Sequence, residues 1–218
     1  MSQIRDRKLT YLTDSRLHAL SALCLANERQ RVPGVIIEAG CALGGSSILL
    51  CASKAPQREL FIHDVFEMIP PPSDKDGTDV HKRYAVIKSG QSKGIGGSSY
   101  YGYMSNLLDR VKDAFSELGY PIEANSVSLI KGMLQDTLNV NGPVSLAHID
   151  VDWYEPVKTC LERIFPRLSA GGALVIDDYQ DWSGCRAAVD EFFDPLPPDS
   201  YEFDLSAGSL IVRKTGAS

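Results

Sequence analysis

A doubly wound, Rossmann-like α/β sheet, mostly parallel, is what the sequence predicts, and three observations carry that reading. Short apolar runs of strand length alternate with stretches of helical spacing from residue 14 to residue 193. Two of those runs, V-S-L-A-H-I-D-V-D and G-G-A-L-V-I-D-D-Y, are joined by a helical pattern, which is the strand, crossover helix, strand unit of a parallel sheet. The chain then closes with Tyr201 to Arg213, two strands turned at Ala207-Gly208 and so an antiparallel hairpin.

Taken in order, Asp14 to Asn27 places Leu17, Leu20 and Cys24 on one helical face, with Asp14 as the expected cap. Residues 1–33 are thus an N-terminal helical segment, ended by Pro33-Gly34. Val35 to Gly40 is a short buried strand, and Gly44 to Ala52 the helix after it. Glu59 to Phe66 and Ser126 to Gly132 are further strands. Between them, Ser105 to Leu118 carries Leu107, Leu108, Val111, Ala114, Phe115 and Leu118 at the spacing of an amphipathic helix. Val144 to Val151 is the next strand, and the helix following it starts near Pro156 and is tightened or ended at Pro166. Ala173 to Asp177 is a strand, and Ser183 is placed to cap the last helix. The stretch 68–97, with Pro70-Pro71-Pro72 near one end and Gly94, Gly96 and Gly97 at the other, is too long for a plain connection and reads as a long lid loop over a site.

The 218 residues fit a single domain, 1–218, able to bury its own core. A formal net charge of −6, from 22 Lys and Arg against 28 Asp and Glu, argues against a nucleic-acid partner. No run approaches membrane-spanning length, and the first ten residues lack the apolar core of a secretion signal, so a cytoplasmic protein with no membrane partner is expected. The five cysteines are scattered without a C-x-x-C pair and read as reduced, packed thiols.

Chemistry concentrates where strands end. Asp150 and Asp152 close one run and Asp177 and Asp178 another, and parallel strands bring such ends to one sheet edge. Hard carboxylate oxygens gathered there suit Mg²⁺. In I-I-E-A-G-C-A-L-G-G-S-S, Gly40 opens room at a strand end, and Gly44, Gly45, Ser46 and Ser47 begin a helix whose amides can donate to a ligand. The spacing is not G-x-G-x-x-G, and Glu38 would repel a diphosphate while attracting an ammonium group. Asp64, ending the next strand, stands where a carboxylate holds ribose hydroxyls. An amine at one end and a ribose at the other describe S-adenosylmethionine. His148 shares strand parity with Asp150 and Asp152 and is a candidate base, although an imidazole in an apolar strand is also an ordinary core residue. Tyr100, Tyr101 and Tyr103 suit either sugar stacking or packing.

These motifs together resemble the Mg²⁺-dependent sugar O-methyltransferases of the macrocin O-methyltransferase (TylF-like) type. The likeness runs through R-L-H-A-L, V-P-G-V-I-I-E-A-G-C-A-L-G-G, H-D-V-F-E-M-I-P, G-M-L-Q-D-T-L, H-I-D-V-D-W-Y-E-P and L-V-I-D-D-Y-Q-D-W-S-G-C-R-A-A-V-D-E-F, which is most of the chain in order. It implies a class I methyltransferase sheet, with Asp150, Asp177 and Asp178 holding Mg²⁺ and Asp152 as general base. It further implies Glu38, Gly40, Ser46 and Asp64 as cofactor contacts, with Gln135 and Asp136 beside the adenine. The acceptor it implies is a sugar hydroxyl on a small molecule or oligosaccharide, and the assembly a homodimer, with the first helix a candidate contact. Cys41, Ala42 and Leu43 depart from the aromatic and basic residues usual after the first glycine. A catechol-type O-methyltransferase, a D-x-D glycosyltransferase and a cofactor-binding protein without catalysis are the competing readings.

Overall fold

In this computed structural model, which describes residues 1–215, the chain runs α1 (Ser2–Asp6), α2 (Asp14–Arg29), β1 (Val35–Ala39), α3 (Gly45–Ser53), β2 (Leu60–Asp64), α4 (Thr78–Lys88), α5 (Leu107–Glu117), β3 (Val127–Lys131), α6 (Leu134–Thr137), β4 (Val144–Ile149), α7 (Tyr154–Ile164), β5 (Leu168–Ile176), α8 (Ser183–Phe193), β6 (Tyr201–Asp204) and β7 (Leu210–Lys214). The strands form one seven-stranded sheet in the order β3-β2-β1-β4-β5-β7-β6, parallel except at β7. Strand order reverses between β1 and β4, and that crevice is where an open α/β sheet takes its ligands.

Alternation along the strands divides the core into two layers. Ile36, Ile62, Leu146 and Val175 face α2, α3 and α5, whereas Ile37, Ala147, Ile149 and Leu174 face α7 and α8. All six residues of β4 are buried, as expected for a central parallel strand covered on both sides. The five cysteines are buried and unpaired, and among the described residues no helix is long and apolar enough to cross a membrane.

Four local expectations change. Thr13, not Asp14, caps α2, its side chain accepting from the Arg16 amide at 3.3 Å. Ser183 does not cap α8 but is its first residue; Asp79 of α4 accepts its amide at 2.9 Å and its hydroxyl as well, so the cap comes from another helix. β5 begins at Leu168, five residues before the expected start, because Gly171-Gly172 cross its register shift without breaking the strand. Most consequentially, 68–97 is not irregular throughout. Its middle is α4, with only Val80 and Ile87 buried; two apolar anchors in eleven residues are too sparse for a periodic signal. The Trp153 indole N–H donates to the Pro70 carbonyl at 3.1 Å, and Asp76 accepts the Tyr154 amide at 2.8 Å, which tie this segment to the start of α7.

Candidate active site

Four neighbouring strands bring their carboxyl ends to the crevice: β2 with Asp64, β1 with Gly40, β4 with Asp150 and β5 with Asp177. The spacing between β1 and β4 is set by the absence of a side chain. A Cβ on Gly40, at φ +81°, would stand 1.9 Å from the Asp150 carbonyl oxygen. The crevice has two lobes that share Gly40, Asp64, Tyr101, Asp150, Asp152 and Trp153.

The first lobe is walled by the apolar Val65, Ile69, Met133 and Leu134 and by Gln135, with Asp64, Asp150 and Asp152 among its polar lining. Asp64 sits at its inner end. One carboxylate oxygen accepts the Phe66 amide at 2.7 Å, and the other accepts the Cys41 and Ala42 amides at 2.8 and 3.3 Å. Burial pushes its pKa up against those bonds. Two carboxylate oxygens offer about four acceptor sites, so capacity remains for a ligand hydroxyl. Gln135 lines the lobe with its Oε1 buried and without a partner among the described residues, whereas Asp136 is exposed and outside it.

The second lobe is walled by Tyr11, Arg16, Arg83, Tyr100, Tyr101 and Trp182, with Asp177 and Asp178 on its floor. Asp150, Asp177 and Asp178 each present an oxygen within 4.8 Å of the others. Three hard ligands at that spacing are the donor chemistry of a divalent cation such as Mg²⁺, which keeps further positions for water or substrate. Burial first, then the neighbouring aspartates, pushes Asp150 and Asp178 well above the usual carboxylate range. Asp177 is oriented from two sides, by Arg16 Nη1 at 2.7 Å and the Ser209 hydroxyl at 2.7 Å. Asp152 stands at the junction of the lobes, in the left-handed region at φ +58°, an unusual backbone state for a residue with a side chain and one that turns it out of the strand's path.

Other sequence-predicted residues lie elsewhere. Glu38 is fully buried, accepting from the Ser47 hydroxyl and held to His148 Nδ1 at 3.0 Å, its register partner across β1 and β4. Neither Glu38 nor His148 lines the crevice. Two of the four amides expected to stand free are engaged: Gly44 donates to Cys41 at 2.7 Å, and Gly45 to Leu9 at 3.0 Å, because the segment before α2 crosses the start of α3. Ser46 and Ser47 are buried beneath it. Tyr100 and Tyr101 reach the second lobe, while the Tyr103 hydroxyl turns away and donates to the Ile87 carbonyl. Reasoning from strand ends could not find Arg16, Ser209, Arg83 or Tyr11, which come from distant segments. Only Arg16 carried a signal, as the first residue of R-L-H-A-L.

Residues 6–195 match the model of the family described as Macrocin-O-methyltransferase (TylF). The chain is 30% identical over 193 residues to 8-demethyl-8-(2,3-dimethoxy-alpha-L-rhamnosyl)-tetracenomycin-C 4'-O-methyltransferase of Streptomyces olivaceus, covering 86% of this chain and 68% of that one. It is 29% identical to mycinamicin III 3''-O-methyltransferase of Micromonospora griseorubida, covering 85% and 70%. The solved structure of the O-methyltransferase NovP superposes with a TM-score of 0.78 at 22% identity, over 95% of this chain and 83% of that one, a likeness of fold.

Proposed function

Given that the chain belongs to the macrocin O-methyltransferase (TylF) family and is an O-methyltransferase, we propose that it moves a methyl group from S-adenosylmethionine to a hydroxyl of a sugar carried by a small molecule or oligosaccharide, with the help of Mg²⁺. The observation that carries this reading is the position of Asp152, bonded through its amide to Asp178 of the Asp150, Asp177, Asp178 cluster and lining both lobes. The first lobe suits the cofactor: Asp64 would accept hydrogen bonds from ribose hydroxyls, and Met133, Leu134 and Gln135 would line the side of the adenine. S-adenosylmethionine would supply an electrophilic methyl, and Mg²⁺, held by Asp150, Asp177 and Asp178, a Lewis acid that makes an acceptor hydroxyl easier to deprotonate.

The chain's own residues do the rest. The cluster and the aromatic wall orient the acceptor, Trp153 and Tyr101 separate it from solvent, and Asp152 takes its proton. Glu38 and His148 lock β1 to β4, which sets Gly40 against Asp150. The segment 68–97 acts as the lid. The same reading includes a homodimer, as the sequence resemblance suggested, which the mass in solution tests, and the cytoplasmic residence expected from the sequence.

Calorimetric titration with S-adenosylhomocysteine, with and without Mg²⁺, followed by transfer of labelled methyl to a rhamnosyl glycoside, tests the proposal. Binding of the product cofactor and metal-dependent labelling are expected. Absence of any S-adenosylhomocysteine binding would overturn it.

A further inference from the structure

The second lobe holds many carboxylates and two arginines, and the two differ in what they do. Arg16 is spent inside the protein, on Asp177 at 2.7 Å, Asp181 at 2.8 Å and the Gly208 carbonyl at 3.1 Å. Arg83, half-buried on α4, also lines the lobe, yet among the described residues it makes no hydrogen bond or ion pair. Its guanidinium lies 5.8 Å over the Tyr100 ring. Its charge favours the ionised form of the neighbouring Asp152, yet it makes no bond to any carboxylate of the floor. Instead five N–H donors are held in a cavity with no protein acceptor.

Its placement is fixed. Asp79 ties α4 to the start of α8, and the Tyr103 hydroxyl bonds the last turn at Ile87. The surrounding segment is also of opposite charge to the chain: 68–97 carries five Lys and Arg against three Asp, and two of those are engaged at helix starts, Asp76 buried against α7 and Asp79 at the surface against α8, whereas the whole chain is at −6. A planar fork on an aromatic face is the arrangement that recognises carboxylate and phosphate.

We infer that Arg83 is a specificity-determining residue, and that the acceptor is a sugar bearing an anionic group, carboxylate or phosphate, on the side away from the hydroxyl that is methylated. This rests on the methyltransferase reading above, with the hydroxyl on the aspartate floor and the anion on the α4 wall.

The test titrates the protein, loaded with S-adenosylhomocysteine and Mg²⁺, with three probes: methyl rhamnoside, methyl glucuronide and a nucleoside diphosphate rhamnose. At least one anionic probe should bind about tenfold or more tighter than the neutral glycoside, as expected for one charge-assisted hydrogen bond or two. The uronide and nucleotide arms identify the anion's source. Arg83→Gln should erase that advantage while leaving the neutral probe and S-adenosylhomocysteine affinity unchanged, and Arg83→Lys should keep part of it. Anionic probes that bind no tighter than methyl rhamnoside, or a loss shared equally by all three probes in Arg83→Gln, overturn the inference. Failure of S-adenosylhomocysteine to bind the wild-type protein would instead sink the methyltransferase reading beneath it.

Discussion

The backbone N–H of Asp152 donates to Oδ2 of Asp178 at 3.0 Å. This bond joins the two acidic motifs, which lie 26 residues apart, and it uses the main chain of Asp152 so that its carboxylate is left to the crevice. The left-handed backbone at Asp152 is a state that Asn tolerates nearly as well as Asp.

Asp152→Asn should therefore keep the fold, the bond to Asp178 and near wild-type affinity for Mg²⁺ and S-adenosylhomocysteine. Turnover should fall roughly 10²- to 10⁴-fold, the contribution expected of general-base assistance. Paired calorimetry and kinetics check it, and a large drop in metal affinity would make Asp152 a ligand instead.

Asp177→Asn should behave in the opposite way. Its amide still pairs with Ser209 but no longer offers an anionic oxygen to a cation or to Arg16. Activity lost at low Mg²⁺ should return in part at high Mg²⁺. A metal titration in which the deficit is the same at every concentration would count against the ligand assignment.

Removing His148 separates a structural role from a catalytic one. His148→Ala leaves the buried Glu38 carboxyl with only its Ser47 hydrogen bond, and a buried polar atom left unmet costs about 1 to 3 kcal/mol. Urea denaturation should show that loss, while the folded fraction keeps turnover within a few-fold. Full stability with abolished turnover would restore His148 as a base.

His63 gives a pH signature. Burial holds its imidazole down at about 4, below the ordinary value of about 6.5. Between those values the unfolded chain binds the proton and the folded one does not, so the folded state is unpenalised above about 6.5 and loses stability as pH falls toward about 4. The loss is of the order of 3 kcal/mol. Denaturation curves from pH 7 to 4 should be steeper in pH for wild type than for His63→Gln; parallel slopes would contradict it.

Gly40→Ala should lose both stability and cofactor affinity. The φ of +81° alone costs about 1 to 3 kcal/mol for a side chain, and the overlap with the Asp150 carbonyl adds to it. Thermal unfolding and S-adenosylhomocysteine titration measure the two effects. Unchanged values in both would mean that β1 and β4 separate without consequence.

By itself the sequence determined the strands, their alternation with helices and the aspartates at their ends, because a buried parallel strand needs an uninterrupted apolar run and its end is marked where that run meets polar residues. Asp150, Asp177 and Asp178 could be placed together on that ground, since parallel strands share one edge. Tertiary structure alone decided what each polar group faces. Glu38 and His148 have the parity and position of site residues, yet register pairs them with each other inside the sheet. Thr13, Asp79 and Leu9 take helix-start donors that local pattern assigned to Asp14, Ser183 and a ligand, because capping asks only for an oxygen in reach and not for a neighbour in sequence. Arg16 and Arg83 enter the crevice from helices more than 60 residues apart, and no periodicity records a meeting that only the folded chain arranges.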